Sequence, residues 1–153
     1  MLKVMSLLQP WATLWALGAA KGAKGNETRS KGCTFKKYRG KVLIHASKKF
    51  SKFQRQLCET EPFKTVLAQN GISSPDELTL GAIIGSADII DCQEITEDNI
   101  PLSPEKEFGD YTLGAGRVMF PSKNNELFDT PIPAKGQLGL WNWDTPEGVE
   151  LDD

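Results

Sequence analysis

The spacing of apolar positions changes along this chain, and each change predicts an element. Leu2 to Ser6 reads as a short strand. Pro10 then sets up a helix in which Trp11, Leu14 and Trp15 recur at i, i+3 and i+4, until Gly18 stops it. Glycines at 18, 22 and 25 predict a loop that turns freely or approaches a ligand, followed by an extended stretch, Asn26 to Ser30. Lys41 to Ala46 is a second strand carrying His45 at its end. From Lys48 to Leu57, Phe50, Phe53 and Leu57 fall on one helical face and Lys48, Lys52 and Arg55 on another, with Ser47 as the N-cap. A third helix, Pro62 to Asn70, turns Phe63, Val66 and Leu67 inward and ends at Gly71, and Ser74 to Glu77 adds one more turn. Beyond that point the period becomes that of strands. Gly81 to Cys92 sets Ile83, Ala87 and Ile89 against Ile84, Ser86, Asp88 and Ile90, and Tyr111 to Phe120 and Leu138 to Trp143 look similar. Strands early and late with helices between them predict an α+β domain built on a curled sheet.

At 153 residues the chain has room for one core, and residues 1–143 read as one domain with an acidic, flexible tail at 144–153. Neither an export signal nor a membrane span is legible. Three scattered cysteines, Cys33, Cys58 and Cys92, fit a reducing, cytoplasmic setting, and with His45 as the single histidine they leave no zinc pattern. No cofactor is implied. The formal charge of -2 conceals a division: residues 1–57 carry thirteen lysines and arginines against Glu27 alone, whereas residues 58–153 carry nineteen acids against five bases. Such asymmetry points to a phosphate-bearing partner, RNA or a nucleotide, unless the two halves neutralise one another in the fold.

Residues 22–29, GAKGNETR, follow the pattern Gly-x-Lys-x-x-Glu-x-Arg directly after a Gln-Pro-Trp helix. Further segments fall in matching order: SLLQPW at 6–11, KYRGKVLIHASKK at 37–49, GAIIGSADIIDC at 81–92, FGDY at 108–111 and KGQLGLW at 135–141. On these residues the chain resembles the ASCH family over most of residues 3–143. The resemblance implies a PUA-like curled β-barrel with helices packed around it, and a cleft beside the motif suited to RNA, a nucleotide or a modified nucleoside. It also implies a place to look for chemistry. One branch of the family deacetylates acetylated cytidine with a Lys, a Thr and a Glu, and others are assigned ribonuclease activity. Lys24 matches that lysine, but Glu27 stands where the threonine would be.

The residues also argue for themselves. Glu27 and Arg29, at i and i+2 of an extended stretch, share a side; Arg29 offers a planar fork for a phosphate or a base edge. Lys24 is a point charge or a general acid or base, and Glu27 accepts from a base amine; if the chain is an enzyme, these two are the catalytic candidates. The plainer alternative is a Glu27–Arg29 ion pair that orients Lys24. Lys21, in the extended glycine segment GAAKGAKG, competes with Lys24 for the same role. Trp11 and Tyr38 are candidates for stacking on a base, with core packing as the alternative for Trp11. His45 is a general base, a phosphate donor or a hydrogen-bonded structural histidine. Ser6, Gln9, Gly22 and Lys48 complete the ligand-binding candidates. Asp88 is an acid at the cleft or a turn partner, and Asp110 and Tyr111 enter on the resemblance alone. P-loop, dinucleotide and nucleophile-elbow spacings are absent, which argues against ATP hydrolysis, redox chemistry and serine hydrolysis.

Overall fold

The computed structural model describes residues 1–149 and Leu151. Seven strands and three α-helices follow in the order β1 (Leu2–Leu7), α1 (Trp11–Leu17), β2 (Asn26–Arg29), β3 (Gly40–Ala46), α2 (Lys52–Cys58), α3 (Phe63–Gln69), β4 (Ala82–Ile89), β5 (Gln93–Glu94), β6 (Val118–Pro133) and β7 (Leu140–Trp143). The strands form a mixed sheet in the order β2-β6-β4-β3-β1-β7, with β5 paired to β6 off this path. Only β1 and β3 run parallel; the other neighbours are antiparallel. No described helix is long and apolar enough to cross a membrane.

The expected α+β class holds, but the sheet does not close into a barrel. Closure would require β2 to pair with β7, the other edge of the sheet, and the two do not pair. β7 occupies β1 from Leu2 to Met5, and β3 occupies it from Val4 to Leu7. The four residues of β2 pair with β6 alone. What reaches across is a side chain: Arg29 Nη2 donates to the carbonyl of Ser6, just past the end of the β1–β7 ladder, at 3.2 Å. The candidate cleft opens beside this bridge.

Both faces of the sheet centre are buried, because alternate residues of each strand enter different clusters. Met5, Leu7, Val42, Ile44 and Ile84 meet Ala12, Trp15 and Ala16 of α1 on one face. Val4, Leu43, Ile83, Ile132 and Trp141 pack on the other. Helix α1 is uncharged and is buried from Ala12 to Leu17, as a helix apolar on all sides must be. Its opposite side sends Leu14 and Leu17 to Phe63, Val66, Leu67 and Phe108. Of the tail expected to be flexible, Val149 and Leu151 rest against the Trp141 cluster; Glu150, Asp152 and Asp153 lie outside the described residues.

Two elements differ from the expectation. The second helix starts four residues late, because Ser51 rather than Ser47 caps it: the Ser51 hydroxyl accepts from Gln54 N, and the Gln54 side chain accepts from Ser51 N. Lys48 therefore precedes the helix, and Phe53, expected inward, is 64% exposed. The strand expected at Tyr111–Phe120 begins only at Val118 and then runs on to Pro133.

Candidate ligand-binding cleft

The glycine-rich segment is tied down rather than free. Its entry hangs on the end of α1, where Leu14 O accepts from Gly18 N at 3.0 Å and from Lys24 N at 3.1 Å. Gly25 O accepts from Ser122 N at 3.0 Å and from the Ser122 hydroxyl at 2.6 Å. The Glu105 carboxylate takes Gly25 N at 2.6 Å and Asn26 N at 3.4 Å. Burial raises the Glu105 carboxyl above its ordinary range, although these N–H groups and Lys24 pull the other way. Lys24, Gly25 and Asn26 thus have partners on other elements, whereas the Gly22 N–H bonds within its own segment, to Ala19 O.

This anchoring fixes three charges in a row. Lys24 is 1% exposed, and its Nζ donates to Asn26 O and pairs with Glu27 Oε1 at 2.8 Å. The second carboxylate oxygen of Glu27 accepts from Arg29 Nε at 2.8 Å. Burial pushes the Glu27 carboxyl up, but Lys24 and Arg29 together outweigh it and hold the carboxyl below its usual value. Beyond Glu27, Arg29 lies over the Phe35 ring at 5.7 Å and reaches the Ser6 carbonyl. An ammonium carries three N–H groups, so Lys24 keeps one donor beyond these two partners.

Around this row opens a cleft of about 470 Å3. The ionic part of the lining is Lys24, Glu27 and Arg29, with Arg117, whose Nε donates to Asp110 O at 2.9 Å and stands 3.4 Å from Asp110 Oδ2. The apolar part of the lining is Leu7, Leu8, Trp11, Phe53, Leu57, Phe63 and Phe108. Phe108 is fixed edge-on against Phe63 at 5.0 Å between ring centres. Three cations, Lys24, Arg29 and Arg117, line the cleft with three acids, Glu27, Glu107 and Asp110. The cleft is balanced in charge rather than basic.

The sequence candidates divide accordingly. Ser6, Trp11, Lys24, Glu27, Arg29 and Asp110 line the cleft. Gln9, Gly22, Tyr38, His45 and Lys48 do not. Gln9 is wholly buried, donating to Thr13 Oγ1 and Thr79 O and accepting from Thr13 N, so it ties the start of α1 to the loop before β4. Gly22 closes a 3-10 turn in a left-handed conformation with open space around it. Lys21 is in that same turn and exposed. Tyr38 donates to Lys41 O at 2.6 Å. Lys48 is exposed and rests over Gly81. Asp88 accepts from Asn124 Nδ2, and the Tyr111 hydroxyl is buried against the Asn26 side chain.

Ser6 and His45 do meet, at 3.2 Å between Oγ and Nδ1. The carbonyl of Ala134 accepts at 2.8 Å from His45 Nε2, which places the proton there and leaves Nδ1 to accept from Ser6. Trp141 Nε1 donates to Ser6 Oγ at 3.1 Å, completing the chain. Gly136 covers the pair so closely that a Cβ there would lie 2.5 Å from His45 Cε1 and 3.1 Å from Ser6 Oγ. Burial lowers the His45 pKa against the opposing Ala134 hydrogen bond. This is a filled polar network in which Ser6 borders the cleft and His45 does not.

Sequence reasoning passed over Arg117, Phe53 as a cleft residue, Glu105 and Glu107. Its single usable signal was FGDY at 108–111, which marked the opposite rim without saying what it faces.

Comparison with known proteins agrees with the fold. No family model matches the chain. It is 26% identical over 144 residues to activating signal cointegrator 1 of Mus musculus, an alignment that takes in 92% of this chain. The chain spans only about a fifth of that relative's length, 22%. The crystal structure of ASCH from Zymomonas mobilis superposes with a TM-score of 0.52 at 15% identity, covering 95% of this chain and 88% of that one.

Proposed function

From the premise that this chain has the ASCH fold, we propose that it binds RNA or a nucleotide, holding a base or nucleoside in the cleft beside the GAKGNETR motif. One observation carries the reading: a cleft of about 470 Å3 whose lining combines apolar and aromatic side chains with a row of fixed hydrogen-bonding charges. A nucleobase suits that combination, with π-faces that stack on aromatic side chains and an edge of donors and acceptors. Phe53 and Trp11 serve the faces. Arg29, Glu27 and the remaining Lys24 donor serve the edge or an adjoining oxygen. The ion-pair row keeps these groups in place before the ligand arrives, so little ordering cost falls on binding. The likeness to a cointegrator and to an ASCH protein supports a nucleic-acid-related role at the level of the family.

The test is calorimetric titration with mononucleotides and anisotropy titration with a labelled single-stranded RNA, on wild type and Phe53→Ala. Binding that weakens in the variant supports the cleft. Absence of binding to both ligands by the wild type would overturn the reading.

A second reading is hydrolysis of an acylated nucleoside such as acetylcytidine, or of RNA. It is favoured by the buried Lys24 ammonium, which lines the cleft with one donor in hand for a substrate carbonyl or phosphoryl oxygen. Both oxygens of Glu27 are engaged by cations, which leaves it poorly suited to act as a base. Acetate release from acetylcytidine, lost in Lys24→Ala, would promote this reading above binding alone.

A further inference from the structure

The cleft uses the motif but leaves unexplained the run that follows it. From Lys31 to Lys41 stand Lys31, Lys36, Lys37, Arg39 and Lys41 without one acid among them. This connection between β2 and β3 is folded, not loose. Phe35 stacks on Phe120 with ring centres 5.5 Å apart, Tyr38 N donates to Phe35 O, and Arg39 Nη1 donates to the carbonyls of Lys36 and Tyr38 at 2.8 Å each.

That folding gathers Lys31, Lys36 and Arg39 along a groove of about 430 Å3, opposed there only by Glu94. Lys31 and Lys36 make no ion pair among the described residues, and Arg39 approaches Asp91 only at 3.8 Å with both side chains substantially exposed. Such charges keep a field outside the protein surface, unlike the paired charges of the cleft.

The groove adjoins the cleft. Ser30 and Arg117 line the cleft, and their chain neighbours Lys31 and Gly116 line the groove. Lys31 lies flat across Gly116, where a Cβ would come within 2.7 Å of its Cδ and where φ is +67°. The positive φ is what favours glycine there, since the exposed Lys31 side chain could shift aside.

We propose that this groove is a second subsite, one that takes backbone phosphates of the strand whose base occupies the cleft. The ligand class is then a single-stranded oligonucleotide rather than a free nucleoside. The proposal rests on the cleft reading and divides its labour: the balanced cleft selects a base, and the groove supplies the attraction that the cleft lacks. Proteins that hold single strands combine these two parts, a stacking platform and a positive track.

The experiment titrates a labelled single-stranded RNA hexamer and, separately, a mononucleotide, over a range of salt. Wild type is compared with Lys31→Ala/Lys36→Ala, two exposed side chains whose loss leaves the core intact, and with Phe53→Ala. In the double variant the hexamer should bind about tenfold more weakly at low salt, with a salt slope shallower by about 1.4, the value for two phosphate contacts on a single strand. The mononucleotide should be unaffected there, and Phe53→Ala should weaken both ligands. If the hexamer keeps its affinity and slope in the double variant while both ligands still depend on Phe53, the groove proposal falls and the cleft reading stands. If the hexamer depends on the lysines and Phe53→Ala changes nothing, the cleft reading falls, and with it a strand shared between the two. A hexaglutamate peptide that displaced the hexamer with equal strength would overturn the assignment to nucleic acid.

Discussion

Cleft and groove are built from the same residue types, in neighbouring stretches of chain, to opposite effect. In the cleft Lys24 and Arg29 close on Glu27 at 2.8 Å each, with Lys24 1% exposed. In the groove Lys31 and Lys36 are exposed and have no such partner among the described residues. Paired charges position; unpaired exposed ones attract. A count of lysines and arginines in the first third of the chain cannot tell these uses apart, because the difference lies in burial and in one glutamate.

The sharpest way to break the comparison is to remove that glutamate. Glu27→Gln leaves the Lys24 ammonium buried without its counter-charge, a situation that costs about 3–5 kcal/mol. Lys31→Ala and Lys36→Ala should each stay within about 0.5 kcal/mol of wild type, as exposed substitutions do. Urea unfolding of the three variants measures both. Equal, small losses would mean that the Lys24–Glu27–Arg29 row is not what holds the motif in place.

The next largest effect separates binding from folding. Phe53→Ala should lower affinity for a single-stranded RNA by about 1–3 kcal/mol, the range for one base stacked on an aromatic ring. Its urea midpoint should barely move, since the side chain is 64% exposed. Trp11→Ala makes the contrast. That ring lines the cleft and also packs against the clusters on both sides of α1, so its loss should cost stability together with affinity. If Phe53→Ala left affinity untouched, the apolar lining would be a by-product of α2 packing and not a base platform.

Phe53 also shows where sequence patterns stop being readable. Its spacing from Phe50 and Leu57 suggests one inward helical face, and that inference needs the helix to begin after Ser47. The capping box at Ser51 and Gln54 shortens α2 to seven residues and sets Phe53 on the cleft rim. Both serines are plausible caps locally; Gln54 decides through its bonds to Gln9 O and Lys49 O, contacts made by the assembled fold. Helix α1, α3 and strands β1, β3 and β4 were legible because their periodicity is local. The second half of β6 was not, since Lys123, Asn124, Asn125 and Glu126 form a polar run between prolines at 121 and 131. It is a strand because β4 pairs with it across some forty residues of chain, Ser86 opposite Glu126. Another distant pairing, of β6 with β2, delivers Arg117 to the cleft, since its neighbour Val118 lies opposite Arg29. At the motif, the spacing singled out Lys24 over Lys21, but the burial of Lys24 and the Glu105 carboxylate on Gly25 N follow from tertiary packing. The open sheet is likewise a matter of distant pairing: β7 pairs with β1 and β2 with β6, and the two edge strands do not meet.

The smallest effect sharpens the comparison through pH. His45 is buried behind Ser6, the residue whose carbonyl holds Arg29, and its folded pKa lies below the ordinary value near 6.5. A lowered histidine pKa means that the unfolded chain binds a proton before the folded one does. Its contribution to stability is therefore complete above about pH 6.5 and is lost as pH falls below that value. Glu27, whose pKa is also lowered, acts in a separate window, below the ordinary carboxylate value of 4.5. Between pH 7.5 and 5.5 wild type should lose stability, and His45→Gln, which keeps a donor for Ala134 O but cannot gain a charge, should lose less over the same interval. The groove lies apart from His45, so the salt slope for the RNA hexamer should stay constant over that interval while stability declines. A slope that changed along with stability would mean that the two regions are coupled through the Ser6–Arg29 bridge, and the division between positioning and attraction would no longer hold.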